Sequence, residues 1–374
     1  MSARVDSVRV VATPCGRAAA EALRVEISRA KGSSPLAPVT VIVPGNSVGV
    51  AVRRLLASGE LGAVSGAGAG LIGVNFLTSY RLAELLAAPR LAAAGRRPVS
   101  TPVVAAAVRQ VLATAPGPMF RRVASHPATE EALVRAHREL ADLDEPALGV
   151  LERESPRARE VVRIHRLVKR HLGAGWYDEH DLMREAHELV EAGTPLLAEL
   201  GTVICHLPQR VSPPSARLLQ AVGARTRVVV IAGLTGVPKA DAAVVAAVER
   251  LGGEAGSIAA SHITPAHATA VCSVSDPDDE VRVVVRGIVD AMREGVPLER
   301  MAVVFANNDP YARLAHDHLE LAGIAHNGVS VRTLADSVLG RGLLRLFALP
   351  DDDYRRDDVF SLLASVPVLD GHGR

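Results

Sequence analysis

The chain has 374 residues, of which 48% are hydrophobic, 22% charged and only 3% aromatic. This length predicts two or three domains. The composition excludes a disordered protein and predicts cores built from Ala, Val and Leu. The net charge of +1 supplies no overall basic field to attract nucleic acid, although it does not exclude a local basic groove.

The spacing of the cysteines and the lengths of the apolar runs bear on disulfides, zinc sites and membrane spans. Cys15, Cys205 and Cys272 lie far apart and show no CxxC spacing, so we expect neither a disulfide framework nor a structural zinc site. The first residues contain no long apolar run, and no uninterrupted run of about 18 apolar residues occurs. We therefore expect a cytoplasmic protein without a membrane partner.

The first part of the chain alternates between predicted strands and helices. Apolar runs at 8–12, 39–43 and 71–77 each lead through a turn into a helical pattern, the first at 17–30, and Thr78 or Ser79 is expected to cap the third helix. Nearly continuous apolar strands in a strand–turn–helix rhythm indicate a parallel sheet with crossover helices.

The rhythm changes in the middle of the chain. Between about 102 and 192 the sequence shows helical stripes and no convincing strand, with Thr129 as the expected cap of one helix. This region is too long for a crossover loop. We place a helical insertion at about 96–195.

A second strand-and-helix unit is predicted after a small, polar linker at 252–267. Strands return first at 202–206 and 227–232, which completes a domain at 1–262. Beyond the linker, strands are predicted at 269–274, at 301–305 and around Ile324, within a domain at 268–374. The overall fold class is therefore α/β.

The first strand-to-helix turn is the place for a phosphate-binding loop. Such loops read GxxxxGK[ST], because backbone N–H groups hold the phosphates, the lysine reaches the outer phosphates and the hydroxyl binds magnesium. The turn at 13–20 keeps Gly16, offers Arg17 as a cation, and has neither the lysine nor the hydroxyl. The pattern favours a structural turn.

The strand at 202–206 is the place for an acid that holds magnesium and polarises water. It ends in His206, Leu207, Pro208 and Gln209 and offers no acid. The acidic runs at 276–280 and 351–353 are better explained as a helix start and a solvated turn. We expect no catalytic residue and no bound ATP or magnesium in this chain.

One helix combines an apolar stripe with basic residues. On the helix predicted at 159–172, Arg163 and its basic neighbours lie off the stripe and could contact backbone phosphates, although a solvated face is the simpler interpretation. Trp176 and Tyr177 follow, and they could stack on a base or pack beneath the helix.

The order of these elements resembles a known family. The segments VTVIVPGNSVGVAVRRLL, VNFLTSYRLAELL, TVICHLPQRVSPPSARLL and RVVVIAGLTG, followed by DDEVRVVVRGIVDAMREGVPLERMAVVF, resemble the N-terminal half of AddB-type subunits of bacterial helicase–nucleases. These belong to the UvrD-like helicase superfamily, and the likeness is greatest to actinobacterial PD-(D/E)XK nuclease family proteins. The resemblance covers nearly the whole chain and rests on element order, because the sharp catalytic motifs are missing.

The resemblance implies a RecA-like motor domain (1A) with a helical insertion (1B), followed by an incomplete second RecA-like domain (2A). The nuclease, its metal and its iron–sulfur cluster would lie beyond residue 374, so the chain is expected to be a fragment. The implied partners are DNA and an AddA-like helicase–nuclease subunit. The residues expected to contact DNA are Asn46, Ser47, Thr78, Ser79, Tyr80, Arg163 and Arg210.

The resemblance implies that the chain is a scaffold of double-strand-break repair and recombination, with a degenerate nucleotide site at Gly16 and Arg17. Two alternatives remain open at this stage. One is an active ATP-dependent helicase that uses an unusual loop around those two residues. The other is a protein-interaction module for a partner helicase subunit, without DNA binding of its own.

Overall fold

The computed structural model describes residues 8–64, 68–254, 263, 270–328 and 337–365. The chain divides into two compact units at Ala266/His267. Most of the predicted linker at 252–267 lies outside the described residues, as does position 269 of a predicted strand.

The first unit is built on a five-stranded sheet in which every pairing is parallel. The strand order is β1-β7-β6-β2-β3. The strands are β1 (Arg9–Pro14), β2 (Val39–Ile42), β3 (Val74–Leu77), β6 (Thr202–His206) and β7 (Val228–Leu234). This mixed α/β arrangement confirms the predicted fold class and is consistent with a RecA-like domain.

Helices cover both faces of the sheet, as the nearly continuous apolar strands require. One face carries α1 (Arg17–Lys31) and α2 (Asn46–Ser58), whose Leu23, Ile27 and Leu56 pack on Val41 and Ile204. The other face carries α3 (Ser79–Ala93), α9 (Glu179–Glu191), α11 (Pro213–Gly223) and α12 (Pro238–Arg250), with a short α10 (Leu196–Leu200) before β6.

A helical region lies between α3 and α9, where the insertion was predicted. Its helices are α4 (Thr101–Thr114), α5 (Gly117–Phe120), α6 (Pro127–Leu140), α7 (Glu145–Glu154) and α8 (Pro156–Leu172). They have a core of their own, in which Val108, Leu112 and Ile164 are fully buried. A two-residue parallel ladder, β4 (Arg97–Pro98) with β5 (Trp176–Tyr177), joins the entry of this region to its exit. That ladder was not predicted from sequence.

The second unit contains four α-helices among its described residues. These are α13 (Pro277–Arg293), α14 (Tyr311–Leu321), α15 (Val338–Ala348) and α16 (Arg356–Ser365). The predicted helix start at Asp276 is confirmed. Asp276 caps α13, and its carboxylate accepts a hydrogen bond from the backbone N–H of Asp279 at 2.9 Å.

The strands predicted for the second unit are wrong over the described residues. Residues 270–274, 301–305 and Ile324 belong to no strand. No strand occurs anywhere in 270–328 or 337–365 to supply the backbone partners that an apolar run needs. Val304 is accordingly 90% exposed. Among the described residues of this unit, α13 and α14 form a small core through Val281 and Leu314.

Candidate functional site at the carboxyl edge of the sheet

The five parallel strands of the first unit all end at one edge of the sheet, where α/β proteins bind their ligands. Five helices, α1, α2, α3, α11 and α12, begin just after these strand ends. Thr78 and Ser212 cap α3 and α11 with their side chains. In contrast, α1 and α2 begin after Gly16 and Gly45, which offer no side-chain cap. The first N–H groups of these two helices, on the same face, therefore open onto the edge.

The first turn holds the predicted nucleotide-site residues Gly16 and Arg17. The backbone N–H of Cys15 donates to Leu234 O at 3.0 Å, which ties the turn to β7. The exposed Arg17 guanidinium forms an ion pair with Glu21 at 3.1 Å and donates to Glu60 O at 3.3 Å. The cation is therefore held along the outside of α1 by exposed partners.

The end of β6 places a histidine where an acid would be needed. His206 is 2% exposed and, by strand alternation, lies on the same face as Ile204 and helices α1 and α2. Its Nδ1 has no hydrogen-bond partner among the described residues. Burial lowers the pKa of this imidazole to about 4, so it is neutral near pH 7. Unlike a carboxylate, it brings no negative charge to this position.

An apolar side chain fills the space between the ends of β1 and β6. Leu207 has a φ of 53°, and its side chain lies over Gly233 of β7. A Cβ on Gly233 would lie 2.3 Å from Leu207 Cδ2 and 3.2 Å from Cys15 Sγ. A side chain at position 233 would therefore have to displace the end of the Leu207 side chain, and the leucine and the thiol lie between the two strand ends.

One carboxylate does lie at this edge, and the sequence analysis missed it. Asp241 is buried in the first turns of α12. Its two oxygens accept from the N–H and hydroxyl of Thr235, each at 2.8 Å, and from the N–H of Gly236 at 3.0 Å. Burial and, secondarily, Asp241 raise the pKa of the Cys15 thiol. The Asp241 carboxylate therefore holds the loop after β7 through these three hydrogen bonds.

These residues do not fit a magnesium nucleotide. Magnesium is held by carboxylate and hydroxyl oxygens together with phosphates, and here the positions at the ends of β1 and β6 carry Cys15, His206 and Leu207. Within the described ranges, no group of three or more His, Cys, Asp or Glu residues could hold a metal ion.

Five of the residues expected to contact DNA lie at this edge. Asn46 and Ser47 are exposed in the uncapped first turn of α2. Thr78 accepts from the backbone N–H of Arg81 at 3.2 Å, and Ser79 Oγ lies 3.4 Å from Ser215 Oγ. The fifth, the exposed Arg210, lies in the loop between β6 and α11.

Tyr80 and Arg163 are placed differently. Tyr80 packs against the core under α3, and burial, followed by Glu84, raises the pKa of its phenol. Arg163 lies on α8 in the helical region, not at the edge. Its guanidinium binds Glu160 at 3.1 Å and donates to the carbonyls of Ala115 and Pro116 at 3.1 and 3.0 Å. Arg163 therefore ties α8 to the end of α4.

No protein-family model matches the chain, and a search of curated proteins finds no match. Among the described residues, no helix is both long and apolar enough to cross a lipid bilayer.

Proposed function

We propose that this chain is a helicase-like scaffold that holds DNA at the carboxyl edge of its sheet without hydrolysing a nucleotide. It would serve, in the cytoplasm, a helicase–nuclease complex of double-strand-break repair and recombination, with an AddA-like helicase–nuclease subunit as its partner. One observation carries the proposal. The sheet has the parallel RecA-like layout, but Leu207 and the neutral His206 lie where a motor needs an acid.

The strand order supports the motor-like part of the proposal. A single strand, β7, separates β1 from β6, so the first turn and the end of β6 face each other across Gly233. A phosphate loop on one side and an acid on the other would meet at this point. Leu207 and Cys15 close the gap, and Arg17 binds Glu21 on the outside of α1.

The first turns of α1 and α2 support the DNA-holding part. Their uncapped N–H groups, on the same face, can donate to phosphate oxygens, and the positive ends of the helix dipoles favour an anion. Asn46, Ser47 and Arg210 add exposed polar and cationic groups. Such contacts hold a phosphate backbone without reading its sequence. The DNA-repair role and the partner rest on the family resemblance.

A charge at the start of α2 tests the proposal. Ser47→Asp places a carboxylate in the exposed, uncapped first turn, where it stabilises the helix by roughly 0.3–1 kcal/mol and repels phosphate. We therefore expect stability to rise slightly while the affinity for a fluorescent DNA oligonucleotide, measured by anisotropy, falls about tenfold. Ala128→Asp, at the matching position of α6 in the helical region, is the control and should leave the affinity unchanged.

Three results would count against this function. Equal DNA affinity in Ser47→Asp and the native chain would remove the edge as the DNA site. Absence of DNA binding, together with capture of an AddA-like subunit, would favour a protein-interaction module. Magnesium-dependent ATP turnover that Arg17→Ala abolishes would instead establish a working ATPase.

A further inference from the structure

A shallow groove lies in the helical region, between the start of α4 and the end of α8. It has a volume of about 480 Å³, within the range of roughly 300–1,000 Å³ typical of ligand pockets. Its lining is mostly small and apolar, with two aromatic rings, and comprises Val103, Ala106, Ala107, Gln110, His171, Leu172 and Trp176. The region has its own core, so this groove is separate from the edge of the sheet.

The two adjacent aromatic residues, Trp176 and Tyr177, lie in different environments. Tyr177 is 8% exposed and packs in the core of the first unit, whereas Trp176 is half-buried and lines the groove. The backbone holds Trp176 in place, because its carbonyl accepts from Arg96 Nη2 at 2.8 Å and Val99 N donates to Tyr177 O at 2.9 Å. A half-exposed indole on a fixed backbone can present a flat apolar surface to a planar ligand.

The charges around the groove favour an anionic ligand. Arg97 is exposed and lies in register with Trp176 in the β4–β5 ladder, so both side chains leave the same face of that ladder. Lys169 is exposed in the last turn of α8, three residues before the lining residue Leu172 and therefore on a neighbouring part of the helix surface, and the described residues provide no ion pair for it. The lining contains no carboxylate, and the nearby Asp178 caps α9 by accepting from Asp181 N at 2.8 Å.

We infer that this groove binds single-stranded DNA, with one base stacked on Trp176 and the adjoining phosphates near Arg97 and the end of α8. An aromatic ring beside unpaired cations is the combination by which proteins hold single strands without sequence preference. A duplex fits less well, because its bases are already stacked on one another. The inference rests on the proposed function only in taking DNA as the ligand, and it adds a second contact site.

The chain offers a direct probe of this site, since Trp176 is its only tryptophan. We expect a short oligothymidylate to quench the tryptophan fluorescence of the whole chain in a saturable way, at the concentrations at which the anisotropy of the labelled strand rises. A duplex of equal length should quench it less.

Variants separate stacking from charge. Trp176→Ala should weaken single-strand binding by about 5- to 150-fold, the range for loss of one base–aromatic contact, and Trp176→Phe should retain part of it. Arg97→Ala should weaken binding and lower the salt slope by roughly one. Arg153→Ala, which removes another exposed cation from α7, should change neither the affinity nor the quenching.

A filled groove gives an independent measurement if Trp176→Ala does not fold. Ala106 is exposed on the groove lining, so Ala106→Leu blocks the groove from outside the core and should reduce quenching and affinity together. Anisotropy that reports binding while the native tryptophan signal stays unchanged would overturn this inference and leave the proposed function standing. If no DNA binding is detected by either measurement, both fail.

Discussion

Two apolar runs in this molecule differ in structure, because one forms a buried strand and the other forms no strand. Residues 39–42 of the first unit form β2, which pairs with β3 on one side and β6 on the other, and Val41 is fully buried. Residues 301–305 of the second unit form no strand, and Val304 is 90% exposed. The comparison teaches that an apolar run becomes a strand only where neighbouring chain satisfies its backbone groups.

The largest effect that could break this comparison is a core truncation. Ile231 is fully buried in β7. Ile231→Ala should lower the free energy of unfolding by roughly 2–5 kcal/mol, through lost burial and a residual cavity. Val304→Ala should change it by less than about 0.5 kcal/mol. Urea unfolding followed by circular dichroism measures both, with Trp176 fluorescence reporting the first unit. Equal losses would mean that Val304 is buried in solution.

A pH titration sharpens the comparison, because the first unit buries neutral histidines. The pKa values of His137 and His206 are lowered to about 4, chiefly by burial, and that of His165 is lowered by burial and then by Lys169. Unfolded histidine binds a proton below about pH 6.5, whereas folded His137 and His206 do so only near pH 4. The unfolded state therefore binds more protons in between, and stability falls as the pH drops from 6.5 to 4.

One such histidine accounts for about 3 kcal/mol over this window. Urea unfolding of the first unit at about pH 7 and about pH 4.5 should show the loss. His137→Phe removes one titrating ring and should reduce the pH dependence, whereas His171→Gln, which changes an exposed ring, should preserve it. An unchanged slope in His137→Phe would place the sensitivity elsewhere.

The smallest of these effects concerns a buried cation that holds the connections of the first unit. Lys31 Nζ, at the end of α1, donates to the carbonyls of Pro35, Ala37 and Ile72 at 2.7, 3.0 and 2.7 Å. Lys31→Met leaves three carbonyls without this donor, and we expect it to cost roughly 2 kcal/mol in urea unfolding. The exposed Lys239→Met is the matched control, and a loss of the same size there would contradict this role.

Much of the first unit could be predicted from sequence, because its signals are local. The strand at 202–206 matches β6, and the first helix, predicted at 17–30, ends one residue later. Ser212 caps α11, which begins at Pro213, and a serine followed by prolines is a local start signal for a helix. The cap of α6 was predicted wrongly at Thr129. The helix begins at Pro127, and His126 Nδ1 accepts from Ala128 N at 3.2 Å instead.

What could not be predicted depends on contacts between distant segments. The pairing of Trp176–Tyr177 with Arg97–Pro98 joins parts of the chain that are far apart in sequence, and each is too short to show a strand period. At the candidate site, the absence of a lysine from the first turn and of an acid from the end of β6 could be predicted from the sequence. The leucine that takes their place over Gly233 could not, because it depends on the unusual backbone conformation of Leu207.

The short ladder between β4 and β5 has a consequence for how this protein could be rebuilt. The chain leaves for the helical region at Arg97 and returns at Trp176, and these two residues are side by side. A few glycines joining Pro98 to Trp176 would span that gap and keep the buried Tyr177, while α3 and α9 stay packed against each other. We therefore expect that the helical region can be removed, or exchanged for another, while the five strands of the sheet keep their order.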